Sequence, residues 1–191
     1  IILLSYEIRG RIMSTLHTIT EPQELDLLVA FFDLTGFARY ARKRTDRDIL
    51  DALSTYYELV GDHVETSGGT VVKFIGDAGL VVYPEEQVDR GVVALKAAKE
   101  AGDAWWVRQD ASSQAIYKLH FGPVCCGGVG TRSNKQFDIF GNTVNTTAML
   151  KSNGFAMTAQ VFRQLSPETR KLFKKHTPPI TYIPLEEPHR D

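Results

Sequence analysis

The chain is short of cysteine, of long apolar runs and of excess charge, and each shortage removes a class of protein. Its two cysteines, Cys125 and Cys126, are adjacent. Neighbours on a strand point to opposite faces, which argues against a disulfide between them and fits a reducing, cytoplasmic setting. Neither cysteine stands at metal-ligand spacing from another, and the five histidines are scattered at 17, 63, 120, 176 and 189, so no zinc site is expected. The longest apolar stretches, Leu27 to Phe32 and Ile1 to Leu4, fall far short of the roughly 20 residues that cross a bilayer. The first segment lacks the apolar region and cleavage site of a signal peptide. The chain opens on Ile1, and the residues before Met13 read as part of a longer parent. Lys and Arg number 22 against 23 Asp and Glu, a net charge of -1, so no global field draws in nucleic acid or an anionic membrane. The expectation is a soluble protein whose function lies in specific sites.

What is present is the material of one globular domain: 191 residues, 43% apolar and 24% charged, enough for a sizeable core. We read residues 1–26 as an N-terminal extension and 27–191 as the domain. Leu27 to Leu34 is a continuous apolar run closed by an acid, the mark of a strand buried on both faces. After Thr35-Gly36, the apolar residues Ile49, Leu53, Tyr56, Val60 and Val64 recur at helical spacing from Asp46 until Gly68-Gly69. Thr70 to Ile75 and Leu80 to Tyr83 read as a hairpin with Asp77 at its tip. A helix is predicted over 88–104, then a strand pair, Ile116 to Phe121 and Val124 to Val129, and a further helix over 143–150. The tail is read as a strand at 155–158, a short helix at 159–165 and a closing strand at 180–183. Strand, helix, hairpin, helix, strand is the order of a ferredoxin-like α+β (βαββαβ) arrangement with an antiparallel-rich sheet flanked by helices.

Asp33 and Asp77 both end apolar strands, which would hold two carboxylates rigidly near the surface. A hard cation takes one or two protein carboxylates and completes its shell with water and phosphate oxygens. Each Asp taken singly is also an ordinary turn residue. The turn Leu34-Thr35-Gly36-Phe37 leads into a predicted helix and offers free backbone N–H groups to a phosphate. Lys73, inside the strand 71–75, and Asp138, between Phe137 and Ile139, form a donor and an acceptor suited to the edge of adenine; Lys73 alone also reads as an edge-strand lysine facing water. Asn142 reads as a helix N-cap, and Asn145, one turn further in, could aim its amide at charge developing on a phosphate.

Phe31-Phe32-Asp33-Leu34-Thr35-Gly36-Phe37, Lys73-Phe74-Ile75-Gly76-Asp77 and Phe137-Asp138-Ile139-Phe140-Gly141-Asn142-Thr143-Val144-Asn145 together resemble the class III adenylate and guanylate cyclase catalytic domain, as does the 44-residue separation of the two aspartates. The resemblance covers roughly 27–154. It implies that Asp33 and Asp77, with the Leu34 carbonyl, hold two ions, Mg²⁺ or Mn²⁺. Thr35, Gly36 and Phe37 would hold phosphates, Lys73 and Asp138 would select the adenine of ATP, and Asn145 would orient the ribose and reacting phosphate. It further implies a head-to-tail homodimer with two shared sites, and a product of 3′,5′-cyclic AMP with pyrophosphate. No sensor segment is recognisable, so regulation by light, by bicarbonate or by a regulatory domain in a missing parent segment stays open. Met149 stands where the family usually has an Arg that stabilises the transition state, and Ala38 where it often has Thr. Lys151 lies near the first of these in sequence and Arg132 on the preceding loop, and Lys174 and Lys175 are the candidates for the family's triphosphate lysine. The alternative to an active adenylate cyclase is therefore a catalytically impaired nucleotide-binding dimerisation module. A palm-like diguanylate cyclase finds no GGDEF-type sequence to support it.

Overall fold

The computed structural model describes residues 15–109 and 111–188; the run Ile1 to Leu4, Met13 and His189 lie outside them. The apolar run at 27–34 belongs to a longer strand, β1 (Gln23–Leu34). Leu28, Ala30, Phe32 and Leu34 enter one buried cluster, while Leu27 and Val29 enter another. Both faces are covered, which is why the sequence does not alternate. Leu16, in a 3₁₀ turn at Thr15–Thr18, packs in the second cluster.

Thr35 and Gly36 lead into α1 (Phe37–Ala41), of five residues only. The long helix follows separately as α2 (Asp46–Thr66). Its start is fixed by a capping box, in which Thr45 accepts from the Asp48 amide and Asp48 from the Thr45 amide. Gly68, at φ 92°, turns the chain out of it. β2 (Thr70–Ile75) and β3 (Ala78–Pro84) form the expected hairpin, closed by the two-residue turn Gly76-Asp77. The next helix, α3 (Val88–Arg108), continues past the expected end at 104 because Trp106 is fully buried in the aromatic core.

The predicted strand pair at 116–129 is one strand, β4 (Ala115–Gly130). It pairs with β1 without interruption, from Leu34 opposite Ala115 to Gln23 opposite Cys126. Its other edge changes partner, from β6 (Phe155–Met157) at Tyr117–Leu119 to β5 (Lys135–Phe140) at Cys125–Gly130. Pro123 falls in the interval, so its missing N–H costs no ladder bond on that edge. That local freedom is what made Gly122-Pro123 look like a turn. After β5 comes α4 (Asn142–Met149), whose N-cap is Gly141; Asn142 is its first residue and not its cap. The tail contributes α5 (Ala159–Gln164), α6 (Pro167–Arg170), β7 (Phe173–His176) and β8 (Thr181–Pro184). Of these, α6 and β7 were not anticipated.

Among the described residues the sheet has eight strands in the order β2-β3-β1-β4-β6-β8-β7, with β5 on β4. Among its first four strands each is antiparallel to its neighbour, the ferredoxin-like pattern. α2 and α3 cover one face, where Tyr56, Val60, Val92 and Trp106 pack. The other face is closed from within the sheet. Phe137 and Ile139 of β5 pack there with Leu27, Val29, Leu80 and Val82. β5 and β2 are separated by three strands, about 19 Å in a flat sheet at ~4.8 Å per step, so their contact requires the sheet to curl and fold β5 across this face.

Candidate active site

Odd-numbered residues of β1 point to the face away from α2 and α3, and Asp33 is the last of them, exposed at the strand's end. Its Oδ1 accepts from the Leu34 amide at 3.0 Å. Because Phe32 pairs with Gly79, the register brings Asp77, at the hairpin tip, alongside the end of β1. Two neighbours fix that tip. Tyr57 of α2 donates its hydroxyl to the Gly76 carbonyl, and its ring stacks on Phe74 at 3.8 Å. Burial pushes the Asp77 carboxyl above its usual range, the Asp33 charge adding to the rise while Asp77's own backbone amide opposes it. The two carboxylates are thus close enough to repel.

Among the described residues no three or more His, Cys, Asp or Glu side chains converge on one point. The donors offered by this pair and the Leu34 carbonyl are all oxygen, which fits hard cations such as Mg²⁺ or Mn²⁺ that fill their shells with water and substrate oxygens. Repulsion between the carboxylates is also what a bound cation would relieve.

The turn after Asp33 is pinned from the other side. The Thr35 amide and hydroxyl both donate to the Gln114 carbonyl, at 2.9 and 3.2 Å, and the Gln114 amide returns a bond to the Thr35 hydroxyl at 3.1 Å. The Thr35 hydroxyl is therefore spent on holding the turn. Gly36 adopts φ 70°, a conformation that favours glycine. The Phe37 ring packs on Tyr40 and Trp106, so Phe37 offers a ligand its amide and not its ring. With α1 only five residues long, any phosphate contact here rests on individual N–H groups rather than on the dipole of a long helix.

Lys73 and Asp138 meet directly, Nζ to Oδ2 at 2.6 Å, with Asp138 Oδ1 also accepting from the Ile139 amide at 2.9 Å. The pair is partly open to solvent: the Lys73 side chain is 42% exposed and that of Asp138 16%. A bulge makes the meeting possible. The β2–β3 register shifts between Val71 and Lys73, so Val72 and Lys73 both turn to the face of Asp33 while Phe74 still enters the helix-side core. Strict alternation would have sent Lys73 the other way.

Asn145 is exposed on α4; its amide bonds the Gly141 carbonyl, and its side chain makes no hydrogen bond among the described residues. Met149, at the end of α4, is 83% exposed. A cation that sequence reasoning did not single out lies beside it: Lys118 of β4 donates to the Ala148 carbonyl at 3.1 Å. Lys174 is tied to the Leu185 carbonyl at 2.8 Å, whereas Lys151, Lys175 and Arg132 are exposed. Lys73 and Asp138 are thus joined by an ion pair and Asp77 lies alongside the strand end that carries Asp33, while no hydrogen bond or ion pair links these couples to each other or to the Asn145 side chain among the described residues. Tyr57 and Gln114, the residues that hold the tip and the turn, were missed. The only signal for Tyr57 was a second tyrosine beside the core residue Tyr56, and Gln114 acts largely through its backbone.

A ferredoxin-like sheet carrying paired acids at the end of its first strand and at its hairpin tip is the frame of a nucleotidyl cyclase domain. Residues 20–181 match the model of the adenylate and guanylate cyclase catalytic domain, and the chain belongs to that family, whose activity is that of a lyase. It is 29% identical over 136 residues to the uncharacterized protein Rv1318c of Mycobacterium tuberculosis, covering 67% of this chain and 24% of that protein. It is 30% identical over 152 residues to the receptor-type guanylate cyclase Gyc76C of Drosophila melanogaster, covering 74% of this chain and 10% of that one. The chain thus spans a quarter or less of these relatives. The crystal structure of the adenylyl cyclase CyaB from P. aeruginosa shares the fold, with a TM-score of 0.75 at 17% identity over 88% of this chain and 97% of that one.

Proposed function

We propose that this domain is an adenylate cyclase, converting ATP to 3′,5′-cyclic AMP and pyrophosphate at sites shared between two copies of the chain. The observation that carries the reading is the Lys73–Asp138 pair, a donor and an acceptor held 2.6 Å apart at an accessible position. With N1 of adenine at Lys73, the 6-amino group falls at Asp138. Guanine in that register would set N1–H against the ammonium and O6 against the carboxylate, a mismatch at both. The two groups satisfy each other in the free protein, so the base exchanges for the pair instead of entering an empty slot.

In the reaction the ribose 3′ oxygen bonds the α-phosphorus, the bond to the bridging oxygen breaks, pyrophosphate leaves and the hydroxyl proton is lost. Ions held by Asp33, Asp77 and the Leu34 carbonyl would neutralise phosphate charge when bound. The amides of Gly36 and Phe37 would hold phosphate oxygens, and Asn145 of a second copy would orient the ribose. Positioning supplies most of the rate in such a scheme. A second copy would also cover the exposed Ile75 and Phe140, and closed two-fold symmetry would give two equivalent sites. The exposed Met149 favours a second reading, a domain that binds nucleotide with little turnover.

The test is cyclic nucleotide formation from ATP and from GTP, with Mg²⁺ and with Mn²⁺, across protein concentration. Cyclic AMP rising faster than linearly, and lost in Asp33→Ala and Asp77→Ala, is the expected result. Cyclic GMP formed from GTP in excess of cyclic AMP from ATP would overturn the base assignment. ATP binding without product would establish the second reading, and Met149→Arg should then restore turnover.

A further inference from the structure

Ala115, Tyr117 and Leu119 of β4 enter the core under α2 and α3, so alternation turns Lys118 to the opposite face, the face of Asp33. Lys118 pairs with Phe31 and Asp33 with Ile116, which makes Lys118 and Asp33 diagonal neighbours on that face at about 7–8 Å. From there the lysine crosses to α4. Its Nζ donates to the Ala148 carbonyl at 3.1 Å and enters no ion pair among the described residues. The ammonium can be reached from outside, because Lys118 lines a cavity of about 500 Å³ together with Met149, Lys151, Pro178 and Pro179. Glu187, the only acid among the described residues on its wall, is engaged with the Phe155 amide at 3.1 Å. An anion at this end of α4 meets two obstacles. A helix presents carbonyls and negative charge at its C-terminus, and the residues that close this one, Met149 and Leu150, are apolar. Asn145, one turn back, offers only a neutral amide. Lys118 offsets both obstacles with a cation brought from the neighbouring strand.

We propose that Lys118 is a catalytic residue of the cyclase reaction, acting in the half of the site that carries Asn145. Its ammonium leaves the Ala148 carbonyl for a non-bridging oxygen of the α-phosphate and stabilises the charge that builds there as the 3′ oxygen attacks and pyrophosphate departs. Lys118 stays protonated throughout, and the Ala148 carbonyl passes to water. The inference rests on the cyclase reading of the same site.

The experiment measures kcat and KM for cyclic AMP formation in the wild type, Lys118→Met, Lys118→Arg, Lys151→Met and Lys118→Met/Met149→Arg, with the Tm of each protein. Lys118→Met should lower kcat about a hundredfold or more, as loss of one transition-state donor does, with KM for ATP changed less than about threefold. Lys118→Arg should keep kcat within about tenfold of the wild type, and Lys151→Met within about threefold. Met149→Arg brings a guanidinium to the same place from the helix, and should raise the kcat of Lys118→Met at least about tenfold. A lysine that only caps α4 gives a different pattern: Tm and kcat fall together and Met149→Arg restores neither. That pattern overturns the proposal, as does an equal loss in Lys151→Met or a Lys118→Met enzyme with wild-type kcat. Mixing Lys118→Met with Asp33→Ala should recover roughly a quarter of wild-type turnover, since half the dimers are mixed and each of those keeps one intact site of two. Recovery with Asn145→Ala in place of Asp33→Ala puts Lys118 in the other half and overturns the assignment. A wild type that makes no cyclic nucleotide fails the cyclase reading and takes this inference with it, whereas an active wild type indifferent to Lys118 fails the inference alone.

Discussion

Gly79→Ala should damage the site through the core beneath it. A methyl group built at Gly79 would stand 2.5 Å from Cε1 of Phe32, about 1 Å inside ordinary carbon contact. Phe32 has nowhere to go: it is 1% exposed and packed by Tyr117, Tyr56 and Phe74 at ring distances of 5.4, 6.1 and 6.2 Å. The strain must move β1 against β3, and the residues displaced are the neighbours of Gly79 and Phe32, which include Asp77 and Asp33. Overpacking of this kind costs about 1–3 kcal/mol, or roughly 2–12 °C in Tm for a domain of this size. A shift near 1 Å between the carboxylates should lower kcat about a hundredfold. Thermal unfolding followed by circular dichroism, with cyclic nucleotide assays well below the variant's Tm, measures both. Wild-type turnover together with a Tm change under about 1 °C would refute the claim that this contact sets the register of the two acids.

Gly61→Ala is the matching control. It lies inside α2 with nothing within 4 Å of the added methyl, so it should stabilise by about 0.5–1 kcal/mol, read as a rise in urea midpoint at unchanged slope. A double-mutant cycle on Lys73→Met and Asp138→Asn should give a coupling of no more than about 1 kcal/mol in urea unfolding, because Lys73 is 42% exposed and the pair is screened. The same cycle should show a far larger loss of ATP-over-GTP preference; equal turnover of both nucleotides by the wild type would sink that expectation. Burial lowers the His120 pKa below its usual 6.5. The folded state therefore binds fewer protons at His120 than the unfolded state, and this contribution, full above pH 6.5, is lost as pH falls through the lowered value. His120→Gln, which can still bond the Thr158 hydroxyl found 2.9 Å from Nδ1, should flatten the fall in stability on acidification below pH 6.5. An unchanged slope would show that His120 does not set it.

Sequence patterns revealed the frame of this domain where burial leaves a periodic or continuous signature. The run 27–34 is apolar because both faces of β1 are covered, and α2 shows helical spacing because only one of its faces is. Asp33 and Asp77 were legible for the same reason: each interrupts or ends such a run. What was hidden depends on partners distant in the chain. β4 looked like two strands because the change of neighbour at Pro123 is a property of β5 and β6. The bulge at Val71–Lys73 is invisible in a string of five strand-forming residues, since only pairing with β3 defines it. Gly141 rather than Asn142 caps α4.

The bulge in β2 has a consequence for how such a site can vary. With a two-residue turn at one end of the strand and an ejected residue in its middle, the core-facing positions are held in frame whatever side chain stands at 73. That position is a replaceable letter in a fixed line of text. If Lys73 reads the base as proposed, a point substitution there would rewrite which base the face prefers without resetting the alternation of Val71 and Phe74, and nucleotide preference could drift while the core beneath it stays unchanged.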